Sequence, residues 1–285
     1  ALRSPRATWI GWGLFLLLLL AHQTVRWVTP EPDPPLDGLR TLTVVDPVAS
    51  SDSLRLAWRE AGPREGTPVV LLHRVPGDSR AFEPLLDDWD VARWRLAFDL
   101  PGFGASAPEA EELSADAAAR RIGVALERLG VGSFDLVALG PGGAVALEMI
   151  AQRGDSVRSL TLLSASGVEE FELLGNVDIN RPLYGAQLGI LWFVDNFLPH
   201  FGLLDQAPLD LSYARFFYQS DARPAREVLS SLDQPLFVLH GARDFLVPPE
   251  VAREHARIVP HARLEIVEGV GHDLLGARTA RVRGE

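Results

Sequence analysis

Hydrophobic positions fall along this chain in three different patterns. From residue 7 to residue 21 nearly every position is apolar, including the run LFLLLLL, with Trp9 and Trp12 at one end and Trp27 at the other. As a helix, Trp9 to Trp27 rises ~27 Å, close to the ~30 Å hydrocarbon core of a bilayer. Tryptophan at both ends matches the interfacial belt, and Leu16 and Leu18 fall between the belts. The pattern predicts a transmembrane anchor over residues 1–28. A cleaved secretory leader would close on a small-x-small site, and AHQTVRWV offers none, so the segment is expected to be retained. Arg3 and Arg6 precede the run, while Arg26 is soon followed by Glu31 and Asp33. The positive-inside rule then places the N-terminus in the cytoplasm and the rest on the outer side. TPEPDPPLDG has no apolar period, and residues 29–40 are expected to be a stiff Pro-rich linker.

The second pattern begins at residue 41. LRTLTVVD and LRLAWREAG alternate as an opening antiparallel pair would. PVVLLH, RLAFDL, FDLVAL, SLTLLSA, PLFVLH and RLEIVEG are short continuous apolar runs, as expected of strands buried on both faces. Between them lie helical stretches. The clearest is SADAAARRIGVALERLG, where Ser114 can cap, Ala118, Ile122, Leu126 and Leu129 share a face, and Gly130 ends the helix. Alternating strand and helix predict an α/β fold with a mostly parallel sheet flanked by helices.

The third pattern interrupts this alternation. Residues 166–234 are far longer than a usual connection and are expected to form an inserted helical cap on a domain spanning 41–285. Within the insertion, Leu188, Ile190, Leu191, Trp192, Phe193, Val194, Phe197, Leu198 and Phe201 would wrap nearly all round a helix. The expectation is a cap helix buried against the main domain, with an apolar surface meeting lipid or a membrane subunit as the alternative.

Acidic residues outnumber basic ones by 38 to 27, a formal charge of −11, and a basic footprint for nucleic acid is absent. All basic residues but histidine are arginine, and no cysteine occurs, which removes disulfides, thiolate nucleophiles and cysteine-bound zinc. His200, His240 and His261 lack metal-ligand spacing, so neither metal nor cofactor is expected. GPGGA could cradle a phosphate, but no Lys-Ser/Thr follows, and GFGASA does not complete GxGxxG.

Several segments, in order, resemble the α/β-hydrolase fold superfamily. LLHRVPGDSRAFEPLLDDW is similar to its oxyanion loop, FDLPGFGASA to its strand-four turn and VALGPGGAVALE to its nucleophile elbow. HGARDFLVPPEVA is similar to the acid loop and VEGVGHD to the histidine loop. The resemblance implies an acid at Asp244, a base at His272 and a nucleophile at the position that here is Gly140. It also implies that the N–H after the nucleophile holds the oxyanion, and that residue is Pro141, which has none. The rest of the oxyanion region falls on His73, Arg74 and Val75, with Val75 as the other donor. Asp99 and Ser106 read as scaffold of the strand-four turn, while Ser164 and Ser166 lack an elbow of their own.

A missing hydroxyl and a missing N–H predict a catalytically inactive member of the superfamily, a structural or accessory subunit of a membrane protein complex. Its expected partners are the lipid bilayer and the subunits of that complex. Two alternatives stay open. One is a weak or unconventional hydrolase or lyase on a small apolar ester-like substrate, using Asp244, His272 and water. The other is a module that holds a lipid or pigment unchanged.

Overall fold

A computed structural model describes residues 5–28, 38–49, 53–87, 92–106, 112–171, 174–201 and 210–276. Arg3 and most of the expected linker, residues 29–37, lie outside the described residues.

Helix α1 spans Pro5–Val28, and its stretch Trp9–Val28 is long and apolar enough to cross a membrane. The domain then alternates as β1 (Leu39–Val45), β2 (Ser53–Ala61), β3 (Val69–Leu72), α2 (Glu83–Asp87), β4 (Arg95–Phe98), α3 (Ala115–Arg128), β5 (Phe134–Leu139), α4 (Gly142–Arg153) and β6 (Val157–Leu163). Helices α5 (Val177–Phe197), α6 (Leu211–Gln219) and α7 (Ala225–Ser230) follow, before β7 (Leu236–Gly241), α8 (Pro249–Ile258) and β8 (Arg263–Val267) close the order.

The eight strands form one sheet in the order β1-β2-β4-β3-β5-β6-β7-β8. Pairs β1–β2 and β2–β4 are antiparallel and all the others are parallel. This is the α/β-hydrolase architecture that the segment order implied. The chain runs outward from β3 to β4 and then returns to place β5 on the other side of β3. The C-terminal ends of β3 and β5 therefore flank the point where strand order reverses, the crevice at which open α/β sheets bind ligands.

The continuous apolar runs are strands because both faces of the sheet are covered. Val70 and Leu72 enter a core with Leu96, Phe98, Leu136 and Leu160, while Val69 and Leu71 enter a second one with Phe82, Ala97 and Val137. Full burial of each such side chain is worth about 1.5–3 kcal/mol. Helix α3 begins where Ser114 Oγ accepts the Ala117 N–H at 3.1 Å and stops before Gly130, whose φ is +75°. Its apolar face packs on the sheet with one charged exception. Arg121 is fully buried, its Nε 3.1 Å from Asp46 Oδ2 and its Nη1 donating to the Glu112 carbonyl at 2.5 Å. This pair pins the turn after β1 to α3.

Helix α5 departs from the expectation of burial all round. Val177, Asn180 and Leu191 are its buried residues, whereas Ile190, Trp192, Phe193 and Phe197 are exposed. The reason is one-sided packing: α5 leans on α6, where Tyr184 stacks on Phe217 at 5.5 Å between centroids. Asn176 caps its start by accepting the Asp178 and Ile179 N–H groups.

Candidate active site

Strand β5 runs straight into α4 through Gly140 and Pro141. Gly140 has φ +54°, a left-handed conformation that glycine takes without the Cβ clash other residues meet. Its N–H donates to the Leu163 carbonyl at 3.0 Å, and its carbonyl accepts from Gly143 at 3.0 Å and Ser166 at 3.2 Å. The next turn is compulsory glycine: a Cβ on Gly142 would lie 2.5 Å from the His73 carbonyl, and one on Gly143 would lie 2.7 Å from that of Ser166. The corner is therefore wedged between the ends of β3 and β6. Pro141 opens α4 and donates nothing.

The histidine loop meets this corner from above. His272 Nδ1 lies 2.8 Å from Asp244 Oδ2, so Nδ1 carries the proton and Nε2 is left as the acceptor. A Cβ built on Gly140 would stand 3.6 Å from that Nε2 and 3.1 Å from the Arg74 Cβ. The base thus faces the position where the superfamily carries its hydroxyl.

Asp244 is built to stay charged. Burial pushes its carboxyl up, but the His272 hydrogen bond, the Val247 N–H and the adjacent imidazole outweigh burial and hold it below the usual carboxylate range. Its Oδ1 accepts from Leu246 at 3.0 Å and Val247 at 2.9 Å. The buried Ser164 hydroxyl also favours the charged form, although it stands outside good hydrogen-bonding geometry.

His73 belongs to the scaffold of the oxyanion region. Its Nδ1 donates to the Arg74 carbonyl at 2.7 Å and its Nε2 accepts the Leu100 N–H at 2.8 Å. Burial holds it below the usual histidine value, so both contacts are made by the neutral ring. Val75 is buried and Arg74 is exposed beside the corner. Asp99 accepts from Ser79 and Ala105, each at 2.7 Å, and so stitches the β4 turn to the loop after β3. A pocket opens beside the corner between α4 and the cap, walled by Pro141, Leu147, Glu148, Ser166, Phe216 and Phe217. Burial, with Asp116 and Asp221 nearby, pushes the Glu148 carboxyl up.

Residues that spacing did not single out surround the acid. His240 Nε2 lies 2.8 Å from the Val247 carbonyl and 3.4 Å from Asp244 Oδ2, and His255 is buried close by on α8. HGARD flags His240 at a strand end, but only the fold brings α8 beneath it. His200 lies elsewhere, against α1, and His261 lies at the surface, its Nε2 3.0 Å from the Gln234 carbonyl.

Residues 67–209 match the α/β-hydrolase fold family, and the chain belongs to it. Among curated proteins it is similar to the dihydrolipoyllysine-residue acetyltransferase component of the acetoin cleaving system of Pseudomonas putida. The two are 28% identical over 76% of this chain and 61% of that protein, so the likeness spans less than two thirds of that relative. It is also similar to the pimeloyl-[acyl-carrier protein] methyl ester esterase of Neisseria meningitidis, at 24% identity over 75% of this chain and 90% of that one. Among solved structures, a bacterial membrane phospholipase A shares the fold with a TM-score of 0.63 and 21% identity, covering 98% of this chain and 95% of that one.

These likenesses correct the expectation of an inactive accessory subunit. Relatives at this level carry the names of esterases and lipases, which speaks for hydrolase chemistry rather than a subunit without activity. They favour instead the alternative of a weak or unconventional hydrolase using Asp244, His272 and water. The losses at residues 140 and 141 leave His272 paired with Asp244 and its Nε2 directed at the same corner.

Proposed function

We propose that this protein is a membrane-anchored hydrolase of small apolar esters in which water takes the part of the missing hydroxyl. The observation that carries this reading is the direction of His272: Nδ1 is held by Asp244 and Nε2 faces the space above Gly140. A water in that space gives its proton to Nε2 while its oxygen bonds to the acyl carbon. The tetrahedral intermediate then expels the alkoxide, which takes the proton from Nε2, leaving acid and alcohol. Asp244 keeps the imidazole in the right tautomer and offsets its charge while it is protonated. The oxyanion is held by the Val75 N–H, with the Arg74 side chain across the corner supplying positive charge where Pro141 has no hydrogen to offer.

The rate should be modest. A positioned general base contributes ~10²- to 10⁴-fold, and one absent oxyanion donor costs ~10²- to 10³-fold. Short-chain aryl esters test the reading. Turnover should persist after treatment with a fluorophosphonate, since no serine attacks, and should disappear in His272→Ala. Asp244→Asn should lower kcat with little change in KM, because it disorients the base without touching the substrate. Undiminished turnover in His272→Ala would overturn the assignment.

In the same reading α1, with Trp9, Trp12, Leu16, Leu18 and Trp27, crosses the bilayer with its N-terminus in the cytoplasm. Residues up to 38 serve as the linker, shorter than the pattern suggests because Leu39 and Arg40 already pair with Arg59 and Trp58 in β1, and the hydrolase domain that begins there, with its cap over about 166–234, stands on the outer side.

A further inference from the structure

Helix α5 carries a stripe of apolar residues on the side that faces away from the protein. Ile179, Leu183, Ala186, Ile190, Phe193 and Phe197 recur at spacings of four and three, one stripe of a helix, and every one of them is exposed. No charged residue occurs between Arg181 and Asp195. Trp192 borders the stripe at 57% exposure, and Leu198 and Phe201 extend it beyond the last turn. Isolated exposed apolar residues are ordinary, but a continuous stripe along a 21-residue helix marks a surface that meets something apolar.

The contact with α1 identifies what that is. Near its end α1 is fastened to the last turn of α5. Gln23 Nε2 donates to the Asn196 carbonyl at 2.9 Å, and Arg26 Nη1 donates to the Asp195 carbonyl at 3.1 Å and lies 2.6 Å from the Asp195 carboxylate. A donor and a cation there satisfy the carbonyls that every helix C-terminus leaves open. Beside them His22 is fully buried, its ring 4.6 Å from that of His200 and its Nδ1 accepting the Phe201 N–H at 3.2 Å. The helix that can cross a bilayer and the apolar stripe of the cap are thus joined at one seam built round the buried His22 and His200. Exposed apolar side chains neighbour the seam in sequence on both helices, Val25, Trp27 and Val28 on α1 and Phe197 and Leu198 at the end of α5.

We propose that α5 lies along the bilayer surface with Ile190, Phe193 and Phe197 in the headgroup–acyl boundary, so that the cap rests on the membrane which α1 crosses. The proposal rests on the membrane reading of α1 given above. The surface is apolar and carries no cationic cluster, so burial of apolar area rather than attraction to anionic lipid holds it there.

The absence of cysteine permits a direct test with the full chain. Leu16→Cys, Phe193→Cys and Arg253→Cys variants, each labelled with NBD, are reconstituted in phosphatidylethanolamine–phosphatidylglycerol vesicles with and without a mixture of lipids bearing doxyl quenchers near the headgroup and deep in the acyl chain. The dye at position 193 should lose fluorescence to the quencher as the dye at 16 does, and the dye at 253, exposed on α8, should not. Adding Arg26→Ala and Asp195→Ala to the Phe193→Cys variant should reduce its quenching, while the same pair added to Leu16→Cys leaves that dye's quenching unchanged. Quenching at 16 without quenching at 193 overturns the proposal and leaves the anchor standing. An absence of quenching at both overturns the membrane reading along with it. Disulfide joining of two molecules of the unlabelled Phe193→Cys variant under a mild oxidant, with no quenching of the labelled one, would assign the stripe to a contact between copies and equally overturn the proposal.

Discussion

A β-carbon on Gly140 would lie 3.6 Å from Nε2 of His272, which places a hydroxyl one bond further on within reach of the base. Gly140→Ser should therefore create a nucleophile that the parent lacks. The substitution forces an L-residue to φ +54° and brings its Cβ to 3.1 Å from that of Arg74, at a cost of about 1–3 kcal/mol in folding stability. The altered chain should react stoichiometrically with a fluorophosphonate that leaves the parent unlabelled. Adding Pro141→Ala returns the second oxyanion N–H, and ester turnover should rise ~10²- to 10³-fold over the single variant. A folded double variant that takes up no label would show that the base does not serve this corner.

Much of this architecture is legible in residue pattern. FDLVAL is β5 to the residue, and Ser114 and Gly130 bound α3, because those signals are local: a two-sided apolar run, a side-chain cap, a left-handed stop. Gly140, Pro141, Asp244 and His272 are legible by their order along the chain. Long-range placement is not written in this way. Arg121 stands next to Arg120 in a helix where charge is ordinarily solvated, and its burial follows from Asp46, 75 positions earlier in the turn after β1. The apolar residues of α5 suggest a helix buried all round, whereas one side alone meets the protein, because α6 packs on that side. The activity expectation failed differently. Spacing showed which atoms were missing at the corner, whereas the direction of Nε2 is a property of the folded loops.

The Arg121–Asp46 pair supplies a stability prediction. Both side chains are fully buried, and Arg120 Nε also lies 3.1 Å from Asp46 Oδ1. Burial pushes the Asp46 carboxyl up, but the Arg120 hydrogen bond and the Val48 and Ala49 N–H groups outweigh it and hold it below the ordinary carboxylate value. Removing one partner of such a pair strands the other charge in the core. Asp46→Ala should therefore cost about 3–5 kcal/mol, read as a lowered urea midpoint at pH 7. The sign with pH follows from the depressed carboxyl: its contribution is present above the unfolded value, near 3.8, and is lost as pH falls through the lower folded one. The gap between parent and variant should thus narrow only in strong acid. An unchanged urea midpoint in the variant would contradict the role given to the pair.

His255 should govern stability in milder acid. The ring is fully buried on α8, and burial first, with His240 second and against the pull of Glu254, lowers its pKa to about 4. The unfolded chain titrates this residue near 6.5. Above that value both states hold a neutral ring and pH has no effect through it. Between 6.5 and about 4 the unfolded state takes up a proton that the folded state refuses, so stability falls with decreasing pH by about 1.4 kcal/mol per pH unit. From pH 7 to pH 5 this one group should remove about 2 kcal/mol. His255→Leu keeps a buried side chain of similar size and deletes the titration, so its urea midpoint should change far less over the same interval. Equal slopes for the two proteins would contradict the neutral, buried ring assigned to the folded state.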